Sequence, residues 1–323
     1  MPDTDITKES SSDLSDDEPL VFELPFKTLP DRLDKVLARL LPEHSRSRLQ
    51  SWIEGGHVTV NGAQARIRQM VGPADRIEVR EQVAPEQQAF SPEPVDFDVI
   101  AQSPDWIVVN KPAGLVTHPG AGNWSGTLLN GLLYRYPELA SVPRAGIVHR
   151  LDKDTSGLLV VARHEKSQTH LVRQLQDRSV KRQYVALVHG WVNAPGTVDQ
   201  PIGRDPRVPV RMTTERPIAA REAITHFSPE RSGVTPENQP VTQLVCQLQT
   251  GRTHQIRVHM ASICHPLVAD VLYGGKLVAG AVRQMLHAQA LAFDDFSSGE
   301  RVSFQAPVPE DFERVVEHLV WQS

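Results

Sequence analysis

Cysteine is nearly absent from this chain of 323 residues. Cys246 and Cys264 are its only two, and neither belongs to a CxxC pair. That leaves no disulfide framework and no thiolate metal clip, and it fits reduced, buried thiols in a cytoplasmic protein. Long apolar runs are missing too, since no stretch approaches the ~18 residues of a membrane helix. The first residues are acidic and polar, without the basic start and apolar core of a signal peptide or the acid-poor character of a transit peptide. Thirteen histidines are present, yet no convincing ligand set emerges. His254 and His259, for example, are five apart and do not share a helix face. The expectation is no metal, no cofactor and no membrane contact.

What remains is globular in composition, 40% hydrophobic and 23% charged, and long enough for two domains. The net charge of -5 argues against a polyanionic partner only until its distribution is read. Residues 1–20 carry seven acids and one base, a net of -6, which leaves +1 for the rest. Residues 31–80 hold nine Lys/Arg against six Asp/Glu, a local +3. A basic face attracts phosphate whatever the total charge.

Four segments follow from pattern: an acidic, disordered tail (1–20), a small module (21–80), a Pro/Glu/Gln-rich linker (81–94) and a larger domain (95–323). In the module, Leu33, Val36, Leu37, Leu40 and Leu41 form one helical stripe. Ser45 caps a second helix that Gly55-Gly56 ends. Strand-like 58–60, the Asn61-Gly62 turn and strand-like 76–79 follow. In the larger domain, strands are expected over 106–109, 158–162, 184–188 and 244–248. Helices are expected over 128–133, 165–176 and 254–263, and a surface loop over 228–240. Strands that follow one another without helices make this an α+β protein with a mixed, largely antiparallel sheet and flanking helices.

The densest chemistry lies in residues 146–163, where two apolar runs flank HRLDKDTSG at 149–157. So polar a segment between buried strands is costly unless it is exposed or serves a site. The tetrapeptide RLDK also occurs at 32–35, where it reads as the structural start of a helix. It therefore carries no specificity alone; His149 and Thr155-Ser156-Gly157 supply it.

Residues 31–80, with RLDKVLARL, SRSRLQSWIEGGHVTVNG and DRIEV, resemble the S4 RNA-binding domain. That resemblance implies RNA-phosphate contacts from Arg46 and Arg48 at the start of the second helix. HRLDKDTSG resembles the HRLDxxTSG signature of the RluA-type pseudouridine synthases. NKPAGLVTHPG (110–120), KRQYVALVHG (181–190), TGRTHQIRVHM (250–260), HPLVADVLYG (265–274) and RQMLHAQALAF (283–293) follow in the same order and spacing. The chain is most similar to the RluD-like subgroup, which modifies large-subunit ribosomal RNA.

The resemblance implies an isomerase that turns uridine into pseudouridine, with Asp152 as nucleophile or base. The carboxylate either adds to C1′ or removes the 2′ proton to give a glycal; both routes need a charged carboxylate at the reacting centre. Carboxylates leaving water favour the neutral form, and an adjacent guanidinium favours the charged one. Arg252 is expected to supply it. Arg150 is expected to fill the space left by the flipped nucleotide or to hold the displaced strand, and Tyr184 to pack on the uracil. His149 supports the loop, Asp154 reads as a turn residue and Lys153 as solvated or near phosphate. Asp295-Phe296 stands where relatives usually show His-Pro.

The expected partner is large-subunit ribosomal RNA or its precursor, bound by a monomer. Two other classes compete. A non-catalytic S4-type RNA-binding or ribosome-assembly protein does not require the intact Asp152 context. A glycoside hydrolase needs a second, facing carboxylate, and none is marked out.

Overall fold

The computed structural model describes residues 19–82, 89–120 and 122–322. The expected tail lies outside them as far as residue 18, as do residues 83–88 of the expected linker. By its contacts the chain divides into two units, Met1–Ala84 and Pro85–Ser323.

In the first unit, β1 (Leu20–Glu23) and β2 (Asp31–Arg32) lead into α1 (Leu33–Leu40) and α2 (Arg46–Glu54). The sequence stripe becomes the buried face of α1, with Leu33, Val36 and Leu37 at most 3% exposed. Ser45 accepts the Arg48 backbone N–H and caps α2, as its residue type suggests. Asn61 and Gly62 adopt φ 53° and 77° and join β3 (Val58–Val60) to β4 (Ala63–Gln64). Two positive φ values mark a type I′ turn, whose twist matches that of the flanking strands. After β5 (Met70–Val71) and β6 (Arg76–Val79), the sheet order is β1-β6-β3-β4. Leu20 of β1 pairs with Val79 of β6, so the last residue of the expected tail belongs to this sheet.

The second unit runs through β7 (Asp98–Gln102), β8 (Trp106–Lys111), α3 (Leu128–Arg135), β9 (Ser156–Ala162), α4 (Glu165–Gln176) and β10 (Lys181–His189). Then come β11 (Gly196–Asp199), β12 (Ile202–Arg204), β13 (Met212–Thr213), β14 (Ile218–Arg221), β15 (Ile224–Val234) and β16 (Pro240–Leu248). It finishes with α5 (Gln255–Ser262), β17 (Leu286–Asp294), β18 (Arg301–Gln305), α6 (Glu310–Glu317) and β19 (Val320–Trp321). The large sheet has the order β11-β15-β16-β10-β17-β9-β8-β7, with β18 on β17 and β19 on β15. Among its described pairings only β9 with β17 is parallel.

Strand alternation explains how this sheet is buried on both faces. Tyr184, Ala186 and Val188 of β10 pack with Ile107, Val109 and the α3 leucines. Val185 and Leu187 point the other way, toward Phe312 and Val315 of α6.

Three expectations need correction. Residues 228–240 are not a surface loop, because β15 continues to Val234 and turns into β16 through residues 235–239. Pro229 is tolerated there because it sits at a bulge beside Arg231. The end of the expected linker is not free chain: Ala89 is buried, and Asn130 of α3 donates to the Ala89 and Ser91 carbonyls. Cys246 is a buried thiol pushed up to about 12 by that burial, whereas Cys264 is exposed.

Candidate active site

The loop before β9 carries His149 to Thr155, and its backbone is held by two buried cations. Lys111, at the end of β8, has no exposed surface and donates from Nζ to the carbonyls of Pro112, Leu115 and Lys153 at 2.8–2.9 Å. Burial pushes its pKa down to about 7, opposed by Asp152 and Asp154. Arg283 donates from Nη1 to the Asp154 carbonyl at 2.9 Å and is itself paired with Asp311. Thr117 Oγ1 donates to the Leu151 carbonyl at 2.8 Å. These bonds answer the question raised by a polar run between buried strands: its backbone acceptors are satisfied from beneath.

His149 supports the loop, as expected, by accepting the Val160 N–H at Nε2. Burial, helped by Arg182, holds its pKa near about 3, so the imidazole is neutral at ordinary pH. Gly157 ends the signature for a steric reason. Its φ is 115°, and an added Cβ would lie 2.3 Å from the Ala288 carbonyl oxygen, where β9 meets β17.

Asp152 faces a cavity of about 570 Å³, a size common for ligand sites. Its lining includes Arg144, Arg150, Arg178, Arg182, Arg252 and Arg257, while Asp152 is its only acid among the described residues. The carboxylate is 14% exposed and accepts from Arg257 Nη1 at 3.1 Å through Oδ2. Oδ1 lies 3.9 Å from His254 Nε2. Arg257 is oriented by Asp270 through Nε at 2.7 Å and Nη2 at 2.9 Å. Burial would loosen the guanidinium's proton, but Asp270 and Asp152 more than offset this and raise its pKa. Tyr273 lies under this group, with the Arg257 Cζ 5.1 Å from its ring and its hydroxyl 2.7 Å from His254 Nδ1.

The expected Arg252–Asp152 pair is therefore corrected to Arg257–Asp152. Arg252 precedes α5, and its Nε donates to the Glu222 carbonyl at 2.9 Å, which turns it toward the cavity wall. Arg257, in the helix itself, is buried and needs acids on both sides; Asp152 and Asp270 supply them. The sequence signal was present in HPLVADVLYG, whose Asp270 has no other evident purpose.

The remaining expected site residues divide. Arg150 is exposed at the cavity and Tyr184 is a buried wall residue whose phenol burial pushes up to about 12. Arg46 and Arg48 stand at the start of α2 but are already engaged. Arg46 pairs with Asp34 at 2.6 Å, and Arg48 donates to the Gln82 carbonyl while lying over Trp52. Asp295 accepts the Trp106 indole N–H at 2.6 Å and caps its own turn, a structural use of that departure.

The two RLDK copies show what context does to a carboxylate. Asp34 is fully buried; burial alone would raise its pKa, but bonds from Arg46, Gln50 and Arg32 bring it down to about 2. Every direction around it is occupied. Asp152 lines the cavity with one oxygen bonded to Arg257 and the other, 3.9 Å from His254, without a hydrogen bond among the described residues. That arrangement suits attack on, or deprotonation of, a group entering the cavity, with charge held by Arg257. Among the described residues, Glu43, His44 and Glu81 form the one group close enough to share an ion, and it belongs to the first unit.

Comparison with known proteins agrees with this geometry. A family model for RNA pseudouridylate synthase matches residues 105–262, and one for the S4 domain matches residues 31–77. A ribosomal large subunit pseudouridine synthase D of Neisseria meningitidis serogroup B is 48% identical over 299 residues, covering 89% of this chain and 78% of the relative. Its counterpart in Xanthomonas campestris pv. campestris is 46% identical over 321 residues, covering 94% of each. Among solved structures, human RNA pseudouridylate synthase domain containing 1 superposes with a TM-score of 0.53 at 28% identity, over 71% of this chain and 86% of that one. With an S4 domain earlier in its sequence and Asp152 among the residues lining an arginine-rich cavity, the chain belongs to the RNA pseudouridine synthase family.

Proposed function

We propose that this isomerase acts on uridine in large-subunit ribosomal RNA, with Asp152 as the catalytic carboxylate and no cofactor. The observation that carries the reading is the Asp152–Arg257 pair, 3.1 Å apart in a cavity lined by six arginines and one acid. A uridine within a stem cannot turn over, so the target leaves its stack. Tyr184 packs on the uracil, Arg150 at the exposed rim takes the vacated space, and Arg252 contacts the substrate from the wall. The S4-like module adds affinity through Arg46 and Arg48 once their present partners are exchanged for phosphate.

The test is release of tritium from ribosomal RNA labelled at uridine C5. The wild-type chain is expected to release it without added metal. Asp152→Asn should lower the rate on the order of 10⁴-fold or more while RNA affinity is kept. Full activity in that variant removes Asp152 from the chemistry.

A further inference from the structure

One wall of the cavity holds a cation that the reaction at Asp152 leaves unused. Arg182 of β10 is only 8% exposed, yet among the described residues no carboxylate lies within ion-pair distance of it and its Nε has no hydrogen-bond partner. Burying an unpaired guanidinium is costly. Its guanidinium also lies across Gly251, where an added Cβ would come within 2.5 Å of Nη1. A buried donor group given room by a glycine, and no acceptor, is arranged for an acceptor that arrives from outside.

Arg182 is shared with a second hollow of about 580 Å³, whose lining also includes Arg178, Leu248 and Gln249 of the first. The far part of this trough is formed by Lys181, Gln183, His226 and Gln247, and no acid lines it among the described residues. Strand register makes the row: Gln183 of β10 is opposite Gln247 of β16, which is opposite His226 of β15. Neighbouring strands are about 4.8 Å apart, so two amides and an imidazole stand side by side. His226 is tied at Nδ1 to Thr197 and reaches Gln249 at 3.4 Å. The Gln183 and Gln247 amides make no side-chain hydrogen bond among the described residues. Free side-chain amides match the donor and acceptor edges of an unstacked base.

We infer that this trough holds the nucleotide next to the target uridine, with Arg182 receiving the phosphate that joins the two. The inference rests on the proposed action on RNA and adds a neighbour subsite to it. The two hollows share Arg178, Arg182, Leu248 and Gln249, so the cavity that holds Asp152 borders the one that holds the amide row.

Full-length protein is tested by equilibrium binding of labelled hexauridylate across a salt series. Arg182→Met is expected to weaken binding about tenfold and to reduce the slope of log K against log salt by about 0.7, one single-strand phosphate. Arg182→Lys should restore the slope. Methylphosphonate linkages should weaken binding to the wild type more than to Arg182→Met. Gln247→Leu should weaken hexauridylate but leave an abasic phosphate hexamer unchanged.

Equal slopes for wild type, Arg182→Met and Arg182→Lys overturn the phosphate contact and leave Arg182 as packing on Gly251. Equal effects of Gln247→Leu on both probes, or competition by pyrophosphate as strong as by hexauridylate, overturn the base subsite. If Arg182→Met does not fold, the lysine variant and the methylphosphonate probe still decide. Absence of tritium release by the wild type, by contrast, overturns the parent reading and leaves these binding slopes to judge Arg182.

Discussion

Asp270 never touches the cavity's open space, yet it decides what Arg257 can do. Both its oxygens hold the guanidinium, at 2.7 and 2.9 Å, so the third nitrogen is aimed at Asp152. Planar guanidinium geometry makes this orientation stiff. Replacing Asp270 with Asn removes one charged acceptor, worth about 1.5–3 kcal/mol. Turnover should fall roughly 10- to 100-fold, read as tritium release at saturating RNA, with affinity unchanged. A matching loss of affinity would instead make Arg257 an RNA contact. At this scale the sequence pointed to Asp152 and to the neighbourhood of its partner, but chose Arg252 over Arg257. Both are arginines of one motif; which one reaches the carboxylate depends on where α5 begins, since a residue ahead of the helix and one inside it point in different directions.

Elements bring these residues together through a few close approaches. The β9–β17 parallel pair is short, spanning Ser156–His287 and Gly157–Ala288. It places the loop over Arg283 and the Lys111 ammonium. Gly157→Ala should cost about 3 kcal/mol, since a positive φ and a 2.3 Å contact with backbone oxygen must both be relieved. Urea unfolding measures it, and a loss under 1 kcal/mol would show that β17 can shift freely. Helix α4 occupies the expected residues 165–176, and in the structure His164 caps its start by accepting the Ser167 backbone N–H. The stretch 228–240 was misread because its Pro, Ser and Gly content resembles a loop. Bulged pairing with β16, a non-local partner, made it a strand.

On the scale of the whole molecule, acid is expected to destabilise the second unit. Burial holds His118 and His287 near about 4 and His149 near about 3, against 6.5 for a free imidazole. Unfolded, each binds a proton below that value; folded, each resists it. The unfolded state therefore binds more protons, so stability is complete above about pH 6.5 and falls as pH drops toward 4 and then 3. The slope is at most about 1.4 kcal/mol per pH unit for each group. Urea midpoints at pH 7.5 and 5 test this; equal midpoints refute it. Deleting residues 1–80 should weaken RNA binding and flatten its salt dependence while leaving the chemical step possible, because the second unit has its own cores. Unchanged affinity would remove the S4-like module from recognition.

The amino-acid sequence alone determined the two-part organisation, the α+β class and the family, and singled out Asp152 as the candidate carboxylate. Each rests on local pattern: periodicity, turn chemistry and a polar signature between apolar runs. Only tertiary structure decided which arginine meets Asp152, why Lys111 is buried, and that Arg182 has no side-chain partner among the described residues. Those facts depend on residues far apart along the chain, such as 152 with 257 and 111 with 153. Proximity of that kind is created by sheet register and helix placement, which no short stretch of sequence encodes by itself.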